Sequence, residues 1–201
     1  ADLEMIYSFK SFFNTIGSNN LECRQDRIYI NPEERINYIF NSSINGIEDS
    51  DLIFMIGCNP RYEATILNSR IRKLYLKSKL PIYSTNNIGE QTYPYKVVSN
   101  STNLIKDITE GRNELSEKII QSLKPIIIIG QSVLKLKTGQ YIFEELKKFL
   151  HKNSKITNDW NSFNILSKDA STVGSYDLNL FSSNNGRNIL LEKLNKKSID
   201  L

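Results

Sequence analysis

Apolar and polar positions alternate along the chain with two different periods, and those periods predict its elements. Leu3, Met5, Ile6, Phe9, Phe12, Phe13 and Ile16 recur at helical spacing, with Gly17 where such a helix would stop. Residues 20–24 read as a short strand. Asn31-Pro32-Glu33-Glu34 reads as a helix start, with a cap, a proline at the first position and an acidic first turn. Residues 51–57 form a compact apolar run ending in Gly57, the pattern of a buried parallel strand. A helix should follow, capped by Asn59, with Pro60 at its first position and Ala64, Leu67, Ile71, Leu74 and Tyr75 on one face.

The next strand is Leu80-Pro81-Ile82-Tyr83, with proline near its start, where no central ladder donor is lost. Helical stretches near 102–110 and 114–123 lead to Pro125-Ile126-Ile127-Ile128-Ile129-Gly130, the clearest strand in the chain. Ile142, Phe143, Leu146, Phe149 and Leu150 give an amphipathic helix, and a further helix is expected from Asp159 to about Val173. Polar turn residues from Ser182 precede a last apolar stretch over 189–194. Alternation of apolar strands with helices predicts an α/β fold: a three-layer αβα sandwich on a mostly parallel, Rossmann-like sheet. The chain opens on Ala1 and ends without an evident closing element, so it reads as a fragment of a longer polypeptide.

Composition narrows the chemistry. Apolar residues are 39% and charged residues 24%, ordinary for a globular domain, and no apolar run is long enough to span a bilayer. The formal charge of +4 is too small to point to nucleic acid. The 27 isoleucines and 23 asparagines share AT-rich codons, so the bias records genome composition and deprives asparagine runs of meaning. Two cysteines, Cys23 and Cys58, and one histidine, His151, cannot by themselves complete an iron–sulfur cluster or a structural zinc site. Cysteines this sparse fit a reducing compartment.

The most suggestive loop is Gly57-Cys58-Asn59-Pro60-Arg61, between a strand and a helix, where backbone N–H groups could meet a phosphate. A dinucleotide fingerprint would need GxGxxG here and an acid at the end of the next strand to hold the ribose. Instead the next strand ends Ser84-Thr85-Asn86-Asn87. A well-capped helix start is the better reading, with Gly57 held by a tight turn or close packing. Ile129-Gly130-Gln131-Ser132 repeats the same logic at a second strand end. Cys58 lacks a neighbouring base and reads as a buried apolar residue; His151 lacks catalytic partners. Arg70, Arg72, Lys73, Lys77 and Lys79 read first as a solvated helix face and second as a contact for an acidic partner. No paired carboxylates, HExxH, P-loop or GxSxG motif occurs.

Residues 41–51, the strand after them, Gly57-Cys58-Asn59-Pro60-Arg61-Tyr62-Glu63-Ala64 and Leu67-Asn68-Ser69-Arg70-Ile71-Arg72-Lys73 closely resemble one family. It is the largest peripheral-arm, iron–sulfur subunit of NADH–quinone oxidoreductase, respiratory complex I. Thr92-Tyr93-Pro94-Tyr95, the strand ending at Gly130, Asp159-Trp160 and Asn164-Ile165-Leu166 extend the resemblance. It covers residues 1–180, while 181–201 match poorly. The resemblance implies the molybdopterin-oxidoreductase-like C-terminal half of that large polypeptide, a half thought to carry no molybdenum cofactor.

The implied role is a non-catalytic scaffold in the arm that carries electrons from NADH towards quinone. No catalytic residue, metal ligand or cofactor is expected in the chain, with Gly57, Asn59, Pro60, Arg61 and Gly130 as vestigial loop positions. Iron–sulfur clusters are implied for the N-terminal part of the full-length protein, and the implied partners are other peripheral-arm subunits, not nucleic acid. The implied location is peripheral, without membrane insertion, on the cytoplasmic face of a bacterial inner membrane or the mitochondrial matrix side. The alternative is a fragment of a true molybdopterin oxidoreductase binding a pterin–guanine dinucleotide.

Overall fold

A computed structural model of the chain describes residues 2–18, 20–24, 28–99, 101, 103–181 and 186–196. Five strands form one sheet: β1 (Leu52–Ile56), β2 (Ile82–Ser84), β3 (Lys96–Val97), β4 (Pro125–Gly130) and β5 (Phe163–Leu166). Their order is β3-β2-β1-β4-β5, and every pairing is parallel. Parallel neighbours require crossovers, and the apolar strands require cover on both faces. Helices α3 (Thr65–Ser78), α4 (Leu104–Thr109), α5 (Glu114–Gln121) and α7 (Gly139–Lys152) supply both.

Side-chain alternation along the strands divides the core in two. Leu52, Phe54, Ile56, Ile127, Ile129, Phe163 and Ile165 face one way, towards Ile108 of α4, Ile119 of α5 and Phe143, Leu146 and Leu150 of α7. Ile53, Met55, Ile126 and Ile128 face the other way, towards Leu67, Ile71 and Leu74 of α3, with Ile47, Ile88 and Tyr93. The expected three-layer αβα sandwich is present, and its sheet is wholly parallel.

Helix α1 (Leu3–Thr15) forms as its spacing predicts, capped by the Asp2 carboxylate, which accepts from the Met5 N–H at 2.9 Å. Yet none of its residues is buried. Its main tertiary neighbour is α8 (Thr172–Asp177).

Several expectations need correction. Residues 20–24 are extended but enter no ladder; the Cys23 N–H donates to the Leu180 carbonyl (2.8 Å), and the Lys193 ammonium donates to Asn20 Oδ1 (3.2 Å). The helix start at residues 31–34 is a turn in which the Asn31 side chain accepts from the Glu33 N–H (3.0 Å), followed by a single 3₁₀ turn at Arg35–Asn37. The helix after Gly57 is two helices, α2 (Pro60–Glu63) and α3, broken at Ala64 (φ −154°, ψ 72°). The break lets α2 stay tied to residues 88–91 while α3 lays its apolar face on the sheet.

In place of a helix from Asp159 to Val173 the chain forms β5 and then α8. The buried Asn164 within β5 is satisfied by its side chain: Oδ1 accepts from the Ser42 N–H (2.8 Å) and Nδ2 donates to Ser42 Oγ (2.9 Å) and the Ser162 carbonyl (3.0 Å). Residues 39–42 run along the outer side of β5. Phe40 bridges Asn164 in antiparallel sense, and the Ile165 N–H donates to the Ile39 carbonyl at 3.1 Å. The helix start at Thr102 and the polar turn from Ser182 fall outside the described residues. Beyond that turn the apolar stretch over 189–194 lies within α9 (Gly186–Asn195).

Candidate functional site

A doubly wound sheet binds ligands where its strand order reverses, outside the carboxyl ends of the strands. In this order the reversal lies between β1 and β4. The two glycine loops singled out in the sequence, after Ile56 and after Ile129, therefore stand side by side at that point, because Ile56 and Ile129 are register partners.

They stand too close together to leave a crevice. Gly57 adopts φ +55°. A β-carbon there would collide with Val133 Cγ2 and lie 2.9 Å from Ser132 Oγ, both on the short helix α6 (Gln131–Leu134). A β-carbon on Gly130 would strike the Gly57 carbonyl oxygen and lie 2.7 Å from Cys58 Cβ. That carbonyl accepts a hydrogen bond from the Ser132 hydroxyl, and the Gly57 N–H donates to Thr85 Oγ1 at 3.3 Å. Thr85 stands where a nucleotide-binding fold would place its ribose-holding acid, and its hydroxyl is engaged within the protein, accepting from the Gly57 N–H and donating to Asn86 Oδ1 at 3.1 Å. The glycines here allow one loop to approach the other; in a dinucleotide site they would allow a pyrophosphate to approach the backbone. These residues do not fit a pyrophosphate laid across the switch point.

Asn59 does not cap the helix with its side chain, contrary to the reading of the sequence. Its Nδ2 donates to the Ile88 carbonyl (2.9 Å), and its Oδ1 accepts from Gln91 Nε2 (3.0 Å). Gln91 is buried and takes the capping part itself, its Oε1 accepting from the Arg61 N–H at 3.3 Å, while its own carbonyl accepts from Asn68 Nδ2 at 3.3 Å. Pro60 is buried at the first position of α2, as expected. The Arg61 guanidinium donates to the Glu90 carbonyl (2.7 Å) and pairs with its carboxylate (3.1 Å). Of the five loop positions, Gly57 and Gly130 meet at the switch point; Asn59 and Arg61 bind the loop over residues 88–91. Sequence reasoning missed Gln91 and Thr85. Apart from the polar strand end around Thr85, no pattern marks them, because their roles follow from burial.

The thiols offer no nucleophile. Burial pushes the Cys58 thiol well above its ordinary pKa, and Cys23 is raised to about 11, first by burial and then by the Glu22 charge. His151 is exposed in the last turn of α7. Among the described residues no group of three or more His, Cys, Asp or Glu could hold a metal, and no helix is long and apolar enough to cross a membrane.

Two concavities larger than the rest lie elsewhere among the described residues. At the opposite, amino end of the strands a polar bowl of about 760 Å³ is lined by Glu48, Asp49, Arg70, Lys73, Lys124 and Trp160. Its cations are engaged: Arg70 and Lys73 pair with Glu48 at 2.5 and 2.9 Å, and Lys124 with Asp49 at 3.5 Å. The second, of about 670 Å³, lies between α1, residues 20–24 and α8. There the Arg24 guanidinium is clasped by Glu22 through two bonds of 2.7 and 2.6 Å.

Comparison with known proteins agrees with this architecture. A family model described as molybdopterin oxidoreductase matches residues 1–199. The chain is 39% identical to the NADH-ubiquinone oxidoreductase 75 kDa subunit of Reclinomonas americana, over 90% of this chain and 28% of that protein. It is 36% identical to the mitochondrial 78 kDa subunit of the same oxidoreductase in Candida albicans, over 88% of this chain and 25% of that one. It is 33% identical to an NADH-quinone oxidoreductase subunit of Rickettsia prowazekii, over 88% of this chain and 26% of the relative. The chain thus spans about a quarter of the length of these relatives. A parallel αβα domain, its paired glycine loops and these matches have one source: the chain belongs to the molybdopterin oxidoreductase family, in the branch of the large NADH-ubiquinone and NADH-quinone oxidoreductase subunits.

Proposed function

We propose that the chain is a non-catalytic scaffold domain of the large iron–sulfur subunit of respiratory complex I, which transfers electrons from NADH to quinone. One observation carries this reading. At the switch point, where a pterin–guanine dinucleotide would lay its pyrophosphate, Ser132 and Val133 pack onto Gly57 and the Gly57 carbonyl rests on Gly130. The relatives' names, all of this oxidoreductase, support it over the alternative of a molybdenum enzyme. On this reading the chain holds no cofactor of its own, and the iron–sulfur clusters belong to other parts of the full-length protein. Its partners are other peripheral-arm subunits, and it lies peripherally on the cytoplasmic or matrix side of the membrane.

The test is purification of the full-length protein from its own cells in its assembled state. It should come with an NADH-oxidising, iron–sulfur-containing assembly. Acid oxidation should release no stoichiometric fluorescent pterin, and elemental analysis should find no matching molybdenum. About one pterin per polypeptide would overturn the proposal.

A further inference from the structure

The basic run on α3 remains outside this account. The helix buries Leu67, Asn68, Ile71 and Leu74 against the sheet. Along its opposite side Ile66, Ser69, Lys73 and Leu76 follow one another at i, i+3, i+7 and i+10, the spacing of a coiled-coil seam. Ile66 is 70% exposed and Leu76 58%, and Tyr62, in the adjoining α2, is 80% exposed. Single exposed apolar residues are ordinary on any surface. Two of them at the ends of a row with heptad spacing, with polar residues between and charge of one sign on the flanks, match a pattern used for helix pairing.

The flanks are basic. Arg70 and Lys77 border the seam on one side and Arg72 on the other, and α3 contains no acidic residue at all. Glu48 answers Arg70 and Lys73. Arg72 and Lys77 have no carboxylate partner among the described residues, and the Lys79 ammonium at the helix end lies over the Tyr75 ring at 4.9 Å. A seam of two aliphatic residues with a serine and a lysine between them is too short and too polar to bury in a lipid surface. The apolar anchors and the Glu48 carboxylate both disfavour a phosphate backbone.

We propose that the outer face of α3 is a docking surface for an acidic amphipathic helix of another protein. That helix would lay aliphatic residues on Ile66 and Leu76 and set glutamate or aspartate against Arg72 and Lys77. Fourteen residues of helix give about 21 Å of contact, or close to four turns. The opposite charges in the flanking positions set partner choice and orientation, as in paired coiled coils. This inference rests on the reading of the chain as part of a multi-subunit assembly, and it adds which face is covered and by what chemistry.

The experiment uses the full-length protein in its own cells, with the photo-crosslinking residue p-benzoylphenylalanine placed at Ile66. Irradiation should give one protein adduct, and sequencing should map it to an acidic segment with helical apolar spacing. The doubly reversed variant R72E/K77E should cut adduct yield roughly tenfold through repulsion at the rim. The control K137E/K152E should leave the yield unchanged. Thermal unfolding of each purified variant separates loss of docking from loss of fold, and R72Q/K77Q should fall between wild type and reversal. No adduct, an adduct to lipid or nucleic acid, or an adduct insensitive to charge reversal in a folded variant would overturn the proposal. An acidic helical partner that does not copurify with an NADH-oxidising assembly would uphold this surface while overturning the proposed function.

Discussion

Replacing Gly57 with alanine adds one methyl group to the closed switch point, and the structure divides its cost into two parts. The first is the backbone: Gly57 sits at φ +55°, where a β-carbon costs about 1–2 kcal/mol. The second is collision with Val133 and Ser132, an overpacking typically worth about 1–3 kcal/mol. Together they predict a loss of about 2–5 kcal/mol, a large share of the stability of a domain this size. Two other glycines isolate the parts. Gly111 has φ +77° with open space around its Cα, so Gly111→Ala should show the dihedral cost alone. Gly130 has an ordinary φ of −83° but abuts the Gly57 carbonyl, so Gly130→Ala should show the collision alone. Urea unfolding of the purified chain, followed by circular dichroism, measures all three. Adding Val133→Ala to Gly57→Ala should recover part of the collision cost and none of the dihedral cost. If Gly57→Ala were as mild as Gly111→Ala, α6 would not fill the crevice, and a ligand between the two loops would return to contention.

Asn59→Ala should cost about 1–3 kcal/mol through the loss of two hydrogen bonds worth about 0.5–1.5 kcal/mol each, while the Gln91 amide and the Ile88 carbonyl stay bonded to one another at 2.9 Å; an unmoved urea midpoint would refute the clasp. Arg35, and then the Tyr38 hydroxyl, hold the Asp177 carboxylate below its usual pKa. Its contribution to stability is therefore present above the unfolded value near pH 4 and lost as pH falls through the lower folded value. Asp177→Asn should flatten the acid limb of stability against pH, and an unchanged limb would refute the pairing. With both thiols raised, alkylation at pH 8 should modify Cys58 only on unfolding and Cys23 slowly, which timed labelling with mass spectrometry reads directly. Calorimetric titration should find no micromolar binding of NAD(H), FMN or a guanine nucleotide, since dipole attraction at a helix end supplies only about 0.3–1 kcal/mol; a micromolar constant for any of them would refute the closed crevice.

Elements whose signal is carried by their own side chains were legible in the sequence. The four isoleucines of β4, the run Leu52 to Ile56 and the face of α7 are buried where periodicity puts them. Strand β5 was not legible, because its four residues include Asn164, whose amide is satisfied by Ser42, 122 residues away. Nor was β3, two exposed residues defined only by pairing with Tyr83 and Ser84. The site divides the same way. That Gly57 and Gly130 end parallel strands follows from local pattern. That they press on one another, with Val133 and Ser132 packed against Gly57 and Thr85 bonded to its N–H, depends on a strand order no local pattern contains. Asn59 was misread because asparagine before proline is a good cap only when nothing better bonds it, and Gln91 does.

The strip of chain along the outer side of β5 has a consequence for association. A sheet normally ends in a row of unpaired N–H and C=O groups, which invites another chain to add a strand. Here residues 39–42 already cover that row with the Phe40–Asn164 bridge, the bond between Ile165 and Ile39, and the side-chain bonds of Asn41 to the Phe163 carbonyl and of Ser42 to the Asn161 carbonyl. At the other end β3 is only two residues long and carries Lys96, a short charged strand of the kind that blunts strand addition. The sheet is thereby protected against growth from either side. Any partner packed against it would have to engage its helices and loops, and the same protection guards the chain against edge-to-edge aggregation.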